Sequence, residues 1–223
     1  MFLNYLHLEN NLVMQGGWIY KRILGNSFFI INTVLVMKMK DELLEELLQN
    51  YRMDQKELVQ SYERLIKKEL SSLSGKEVYQ ELLSEVNYRI RRRYKSSELV
   101  GFKVRTGDIC FIDFGKSYIN EAGYQHFGIV LNTYNSKILV IPMSSNPSMY
   151  KQAYCEKEFP YGKKHLMRLE LVKGLERKSV LFLNDLKFIN SARVIGVKAH
   201  LNSSSVTFSE IRKRVREMMG GLL

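Results

Sequence analysis

Six short apolar runs in the C-terminal half of the chain restrict its fold more than any other feature of the sequence. They are rich in β-branched and aromatic residues, and Gly, Pro, Asn or Ser bounds several of them, as is typical of strands joined by turns. The runs are DICFIDF, HFGIVLN, KILVIPM, HLMRLELV, SVLFLNDLKFI and ARVIGVKA. A helical stripe of Phe208, Ile211, Val215 and Met218 follows them and ends before Gly220. We therefore predict an α+β fold, in which residues 101–223 form a small antiparallel β-barrel with a C-terminal helix.

The region before these strands has a helical pattern. Its apolar residues recur at helical spacing in three stripes. The stripes are Leu44, Leu48 and Tyr51; Leu58, Tyr62 and Ile66; and Val78, Leu82, Val86, Ile90 and Tyr94. Ser74 is followed three residues later by Glu77, the pattern of a capping box at the start of a helix. We predict an α-helical region over residues 40–100, broken near residues 71–75.

Residues 1–39 show no clear domain pattern, and we interpret them as a poorly defined N-terminal leader. Their strongest apolar run, FFIINTVLVM, is shorter than the roughly 20 residues that a bilayer-spanning helix needs. An interfacial anchor, a short strand or hairpin, and translated sequence ahead of the true start all remain open. Because Met37 and Met39 immediately precede the first helical stripe, we favour the last of these. We expect residues 1–36 to be loosely attached or absent from the natural product.

Positive charge is concentrated in the second half of the chain. The whole chain holds 34 Lys and Arg residues against 23 Asp and Glu, and residues 102–223 hold 19 of the former and 10 of the latter. An excess of this kind attracts polyanions, of which nucleic acid is the first candidate, although ordinary solubility charge is the alternative. The run RIRRRYK, residues 89–95, is open to the same two interpretations, or to an acidic partner.

The sequence has no pattern of metal ligands. Cys110 and Cys155 match no metal-binding or redox spacing, which favours unpaired thiols in a reducing cytoplasm. The histidines are scattered along the chain, at positions 7, 126, 165 and 200. We therefore predict no metal and no cofactor.

Two segments hold groups that could perform chemistry. His126 stands at the head of an apolar run, where a structural histidine is the common case, but imidazole can also give or take a proton. Ser144, Ser145 and Asn146 end another apolar run. Such a cluster commonly forms a turn by bonding its own backbone, and it can equally present hydrogen-bond donors to a phosphate.

Four stretches in order give residues 106–220, about half of the chain, a resemblance to the MazF/PemK toxin family and, more distantly, to the ToxN-type endoribonucleases. The stretches are TGDICFIDFG, GYQHFGIVLN, LVIPMSSN and KSVLFLNDLKFINSARVI. The resemblance implies the SH3-like, CcdB/MazF-type barrel. It also implies a toxin of a toxin-antitoxin system that cleaves single-stranded RNA sequence-selectively and without metal, by attack of the 2′-hydroxyl group.

Carried over from the family, the catalytic pair becomes His126 and Ser144, with Ser145 as neighbour or substitute. The family usually has arginine where this chain has His126, so the chain departs from the pattern at a catalytic position. Unlike arginine, histidine can accept a proton. A shift of the alignment by one residue would instead place Gln125 in the basic position.

The resemblance also implies RNA-binding residues. Lys116 and Tyr118 lie in the loop between the first two predicted strands, and could supply a phosphate contact and a stacking ring. Tyr124, Gln125 and Asn146 flank the proposed pair, while Lys163 and Lys164 belong to the basic stretch PYGKKHLMR. A plain solvent-exposed loop and a charged hairpin are the alternatives.

The implied partners are single-stranded RNA, a cognate antitoxin protein and a second copy of the chain, with no membrane. Two other functions remain open: a nucleic-acid-binding regulator without catalysis, and a gyrase-inhibiting toxin of the CcdB type. The helical region is unusual for the family, and dimerisation, antitoxin binding and a built-in inhibitor are its candidate roles.

Overall fold

A computed structural model describes residues 54–156 and 158–220 of the chain. The chain divides into two compact units, Met1–Glu69 and Leu70–Leu223. The expectations for the N-terminal leader and for the stripe of Leu44, Leu48 and Tyr51 lie outside the described residues.

The helices and strands follow the predicted succession with three exceptions. The helices are α1 Gln55–Ser72, α2 Gly75–Arg91, α3 Pro147–Gln152 and α4 Val206–Met218. The strands are β1 Asp108–Asp113, β2 Gln125–Tyr134, β3 Lys137–Ser144, β4 Ala153–Tyr154, β5 Lys163–Leu169, β6 Ser179–Phe182, β7 Lys187–Asn190 and β8 Val194–His200. The short elements α3 and β4 were not predicted, and the run SVLFLNDLKFI forms two strands, β6 and β7. Short 3₁₀ turns span Ser97–Val100, Leu183–Asp185 and Ser191–Arg193. None of the helices in the described ranges has the length and apolarity that a bilayer crossing requires.

The helix α2 begins at the predicted capping box. The Ser74 hydroxyl accepts a hydrogen bond from the Glu77 N–H, and the Glu77 carboxylate accepts one from the Ser74 N–H at 2.8 Å. These reciprocal bonds satisfy two of the backbone donors that every helix start leaves unpaired. They confirm the predicted break between α1 and α2.

The expected apolar stripe of α2 does not face the sheet. Leu82, Val86 and Ile90 are exposed, whereas Ser84, between them on the opposite side of the helix, is buried. Polar side chains of α2 make the contacts with the strands, as described below. The helical periodicity is therefore correct, and the side of α2 that contacts the strands is the polar one.

The strands form a sheet in the order β4-β5-β6-β3-β2-β1-β8, and β7 also pairs with β3. All pairings are antiparallel except that of the short β4 with β5. Along one edge, β3 pairs first with β7 at residues 137–140 and then with β6 at residues 143–144. Together with α4 and the N-terminal helices, this antiparallel sheet confirms the predicted α+β class.

The two faces of the sheet bury different groups of side chains. One face packs Ile129, Ile141 and Leu181 against Phe208 and Ile211 of α4. The other face buries a second cluster of Cys110, Ile112, Val130, Val140 and Val194. Neighbouring residues of β2 and β3 enter opposite clusters because strand side chains alternate between faces. This alternation determines which face carries each candidate site residue.

Candidate active site

His126 and Ser144 lie on adjacent strands at the same end of the sheet. The β1–β2 register pairs Ile112 with His126, and the β2–β3 register pairs Phe127 with Met143. Continued by one residue, the second register sets His126 opposite Ser144. Side chains that face each other across an antiparallel pair have Cβ atoms about 4.5–5.5 Å apart. The two residues therefore lie near the ends of adjacent strands, on the same face of the sheet.

Gln125 and Ser145 belong to the other face of the sheet. Gln125 precedes His126, and Ser145 follows Ser144, so each points to the opposite face from its neighbour. The register of β2 with β3 is regular here, from Phe127–Met143 to Ile129–Ile141. The amide of Gln125 donates to the Asp113 carboxylate at 3.4 Å and to the Gln80 carbonyl oxygen at 3.3 Å. The structure thus places His126, and not Gln125, on the face of Ser144.

A single hydrogen bond orients the imidazole of His126. Its Nδ1 lies 2.6 Å from the carbonyl oxygen of Gly123. Since a carbonyl oxygen can only accept, Nδ1 must carry the proton, which leaves Nε2 of the neutral ring with a free lone pair. The half-buried ring is therefore held in the tautomer that a general base requires.

The turn that supplies this carbonyl oxygen is tightly closed. The Tyr124 N–H donates to Gly115 at 2.6 Å, and the Phe114 N–H donates to Tyr124 at 2.7 Å. A Cβ atom at position 123 would lie 2.1 Å from the Ser117 hydroxyl oxygen, so the turn needs glycine there. Tyr124 adopts a left-handed φ of 52°, which reverses the chain just before β2. This local closure fixes the carbonyl that orients His126.

Ser144 takes part in the local turn and still has a proton to donate. Its hydroxyl oxygen accepts a hydrogen bond from the Asn146 N–H at 3.2 Å. Asn146 in turn caps α3, because its side-chain oxygen accepts from the Ser148 N–H at 2.9 Å. A hydroxyl that accepts one bond can donate its own proton to another acceptor. The turn and the phosphate-contact interpretations of this segment are therefore compatible.

Ser145 is exposed and lines a separate hollow of about 290 Å³. Phe127 and Met143 supply apolar walls of this hollow, and Arg177 and Lys198 line it too. Ser145 is therefore a neighbour of the His126–Ser144 pair in sequence, but it opens to another part of the surface.

The predicted RNA-binding residues of the β1–β2 loop contact α2. The Lys116 ammonium group lies 2.6 Å from one carboxylate oxygen of Glu81, and the Tyr124 hydroxyl donates to the other at 2.5 Å. Tyr118, by contrast, is 84% exposed. The structure brings Lys116, Tyr124 and Gln125 together beside α2, and leaves Tyr118 pointing away from the core.

Lys163 and Lys164 lie away from the His126–Ser144 pair. Both begin β5, are exposed, and are separated from β3 by β6. Ser144 pairs with Val180 of β6, and Val180 pairs with Arg168 of β5. Arg168 is therefore the β5 residue that lies level with Ser144 across the sheet. At about 3.3 Å of rise per residue, Lys164 stands about 13 Å further along the strand.

Arg168 is a cation that sequence reasoning did not single out. It lies two strands from Ser144, about 10 Å at the usual strand spacing, and on the same face. Its guanidinium group pairs with Glu158, donates to the Tyr150 carbonyl oxygen at 3.1 Å and stacks over the Tyr150 ring. The sequence does show an arginine inside the apolar run HLMRLELV, which is an unusual position for a charged residue. The run alone does not identify the residues that lie beside this arginine on neighbouring strands.

Asp113 is the second residue that the sequence did not reveal. This buried carboxylate ends β1 and accepts hydrogen bonds from Ser84 at 2.9 Å, from Asn87 at 3.0 Å and from the Gly115 N–H at 3.1 Å. It thereby joins α2 to the base of the β1–β2 loop. Within the described residues, no group of three or more His, Cys, Asp or Glu side chains is placed to hold a metal ion.

No family model matches the chain, and no curated protein matches it. Among solved structures it is similar to MazF from Deinococcus radiodurans, with 16% identity, a TM-score of 0.40, and coverage of 53% of this chain and 98% of that one. It is similar to the Mycobacterium tuberculosis toxin MazF-mt6, with 11% identity, a TM-score of 0.36, and coverage of 51% and 96%. It is also similar to a mycobacterial endoribonuclease in complex with its cognate antitoxin, with 6% identity, a TM-score of 0.38, and coverage of 53% and 96%. At these TM-scores, none of the likenesses assigns a role to a residue of this chain.

Proposed function

We propose that this protein is an endoribonuclease toxin of the MazF/PemK type, which cleaves single-stranded RNA without a metal ion. The observation that supports the proposal most directly is the position of His126 and Ser144 on the same face at the ends of adjacent strands, with Nδ1 of the ring 2.6 Å from the Gly123 carbonyl oxygen. A base and a hydroxyl donor on one face are the groups that attack by a ribose 2′-hydroxyl group requires.

In the proposed reaction, Nε2 of His126 removes the proton of the 2′-hydroxyl group. The 2′-oxygen then attacks the adjacent phosphorus, and the Ser144 hydroxyl donates a hydrogen bond to a non-bridging oxygen of the phosphorane. The bond from phosphorus to the 5′-oxygen breaks, and that oxygen receives a proton from the imidazolium. The products are a 2′,3′-cyclic phosphate and a 5′-hydroxyl group, and the imidazole returns to its starting state.

The positive charge of residues 102–223 would hold the RNA backbone near this pair. Lys116, Tyr124 and the exposed Tyr118 lie in the loop that leads into β2, so they could contact the nucleotides next to the scissile bond. A cognate antitoxin, a homodimer and a cytoplasmic location complete the proposal. The antitoxin and the homodimer follow from the resemblance of the sequence to the MazF/PemK family, and the cytoplasmic location follows from the spacing of Cys110 and Cys155.

The test is cleavage of a mixed-sequence single-stranded RNA by the full chain in the presence of EDTA. We expect discrete fragments that end in a 2′,3′-cyclic phosphate, which mass spectrometry of the products identifies. Binding without cleavage would overturn the catalytic proposal and favour a nucleic-acid-binding regulator. Cleavage that EDTA abolishes would contradict the metal-independent mechanism.

Ser144→Ala is expected to lower kcat about 10- to 100-fold, the equivalent of losing one hydrogen bond of roughly 1.5–3 kcal/mol to a charged phosphate oxygen. Single-turnover cleavage of the same RNA measures the loss. Ser145→Ala removes a hydroxyl from the other face of the sheet, so we expect it to have the smaller effect. A larger loss for Ser145→Ala would reassign the hydroxyl role to that face.

A further inference from the structure

The helix α2 binds the β1–β2 loop through a polar face. Glu81 contacts Lys116 and Tyr124, and the Gln80 carbonyl oxygen accepts from Gln125. Glu81, Ser84, Asn87 and Arg91 recur at three- and four-residue steps, so they share one side of the helix. All three loop residues in these contacts are among the predicted RNA-binding residues.

The Glu81 carboxylate binds two donors of the β1–β2 loop. An ammonium group and a phenolic hydroxyl group donate to its two oxygens, at 2.6 Å and 2.5 Å. The same two donors suit the non-bridging oxygens of a phosphodiester. Burial opposes ionisation of Glu81, but hydrogen bonds from Lys116 and Tyr124 and the charge of Lys116 outweigh it, so its pKa is lowered. At neutral pH the group is therefore an anion held by two donors of the loop.

Three further hydrogen bonds anchor α2 beside this loop. Ser84 and Asn87 donate to the Asp113 carboxylate at 2.9 Å and 3.0 Å, and Arg91 donates to the Val194 carbonyl oxygen at 2.5 Å. Water can replace polar contacts of this kind at a smaller net cost than the exposure of a buried apolar face would carry. The hydrogen bonds that join α2 to the loop and to Asp113 are therefore made by polar side chains.

We propose that α2 is a built-in competitor of RNA on the β1–β2 loop, with Glu81 standing in for a backbone phosphate. This inference rests on the proposed function. While α2 is in place, Lys116, Tyr124 and Gln125 are occupied by the helix. RNA binds them when the helix moves aside, so the affinity for RNA reflects the competition between the two.

The test compares Glu81→Gln with Glu85→Gln in the full chain. Both variants remove one negative charge from α2, so they change the overall field equally, but Glu85 pairs with Arg89 on the helix itself. Fluorescence anisotropy with a labelled single-stranded RNA, made non-cleavable by 2′-O-methylation, measures the Kd. We expect Glu81→Gln to bind RNA about tenfold more tightly than Glu85→Gln, the equivalent of one charge-assisted hydrogen bond lost by the competitor.

A second variant and a readout without RNA guard against a folding defect. Asn87→Ala removes one hydrogen bond between α2 and Asp113 and keeps Glu81, Lys116 and Tyr124, and it should tighten RNA binding in the same direction. Acylation of Lys116 by an amine reagent, followed by mass spectrometry, should be faster in Glu81→Gln than in Glu85→Gln. Equal Kd values for Glu81→Gln and Glu85→Gln, or weaker binding by Glu81→Gln and Asn87→Ala, would overturn the competition.

Cleavage of unmodified RNA by the same proteins separates the two proposals. Tighter binding by Glu81→Gln without cleavage by any variant would support the competition and overturn the nuclease. Cleavage by the parent protein, with no difference between Glu81→Gln and Glu85→Gln in Kd, would support the nuclease and overturn the competition. Absence of RNA binding in every variant would overturn both.

Discussion

His126→Ala is expected to lower the rate of RNA cleavage by about 10²- to 10⁴-fold, the usual range for loss of a general acid–base group. The ring is half-buried, and one bond to the Gly123 carbonyl oxygen orients it. Its removal should therefore change the chemistry more than the stability of the fold. Single-turnover cleavage with saturating enzyme measures the effect, and the melting temperature of the variant serves as the folding control.

His126→Arg distinguishes the two roles that a basic residue could have here. Arginine restores the cation usual in the MazF/PemK family, but it cannot accept a proton near neutral pH. If His126 transfers the proton, His126→Arg should be about as inactive as His126→Ala. Activity close to that of the parent would show that residue 126 acts mainly through its positive charge, which stabilises the phosphorane. If all three proteins cleave RNA equally well in EDTA, the site has been assigned to the wrong residue.

Phe208→Ala is expected to destabilise the chain by about 3–5 kcal/mol, the usual cost of truncating a buried phenylalanine. Phe208 is 0% exposed and packs α4 on the sheet together with Ile211 and Val215. A urea titration of the full chain, followed by circular dichroism, measures the change in the free energy of unfolding.

Val206→Ala is the matched control for this prediction. Val206 is the first residue of the same helix and is 88% exposed, so its truncation should change the stability by no more than about 0.5 kcal/mol. Equal and small effects of both substitutions would mean that α4 is not held on the sheet by its apolar stripe.

Local patterns in the sequence were sufficient to predict the class of the fold and most of its secondary structure, although α3 and β4 were not predicted. The apolar runs of the C-terminal half became the strands of an antiparallel sheet, because short β-branched runs between turn residues favour that arrangement. The stripe of Phe208, Ile211 and Val215 became the buried side of α4, and Met218 at its end stayed 37% exposed. Ser74 and Glu77 marked the start of α2, since a capping box depends only on residues three apart.

The arrangement of the candidate site depended on contacts between distant parts of the chain. No local pattern states that residue 126 lies across from residue 144, because register comes from the pairing of whole strands. Strand pairing also places Arg168 level with Ser144 across the sheet. Lys164 lies about 13 Å from Arg168 along the same strand.

The position of α2 shows the limit of periodicity most clearly. Its apolar stripe predicted a helix but not the surface on which that helix rests. Asp113, buried at the end of β1, receives hydrogen bonds from Ser84 and Asn87, and this turns the polar face of α2 toward the sheet. A buried carboxylate must have hydrogen-bond partners, and only the folded chain decides which distant residues supply them. The sequence by itself therefore determined the sheet class and most of the helices and strands, while the tertiary structure decided how the strand ends that carry His126 and Ser144 align and how Glu81 contacts the loop.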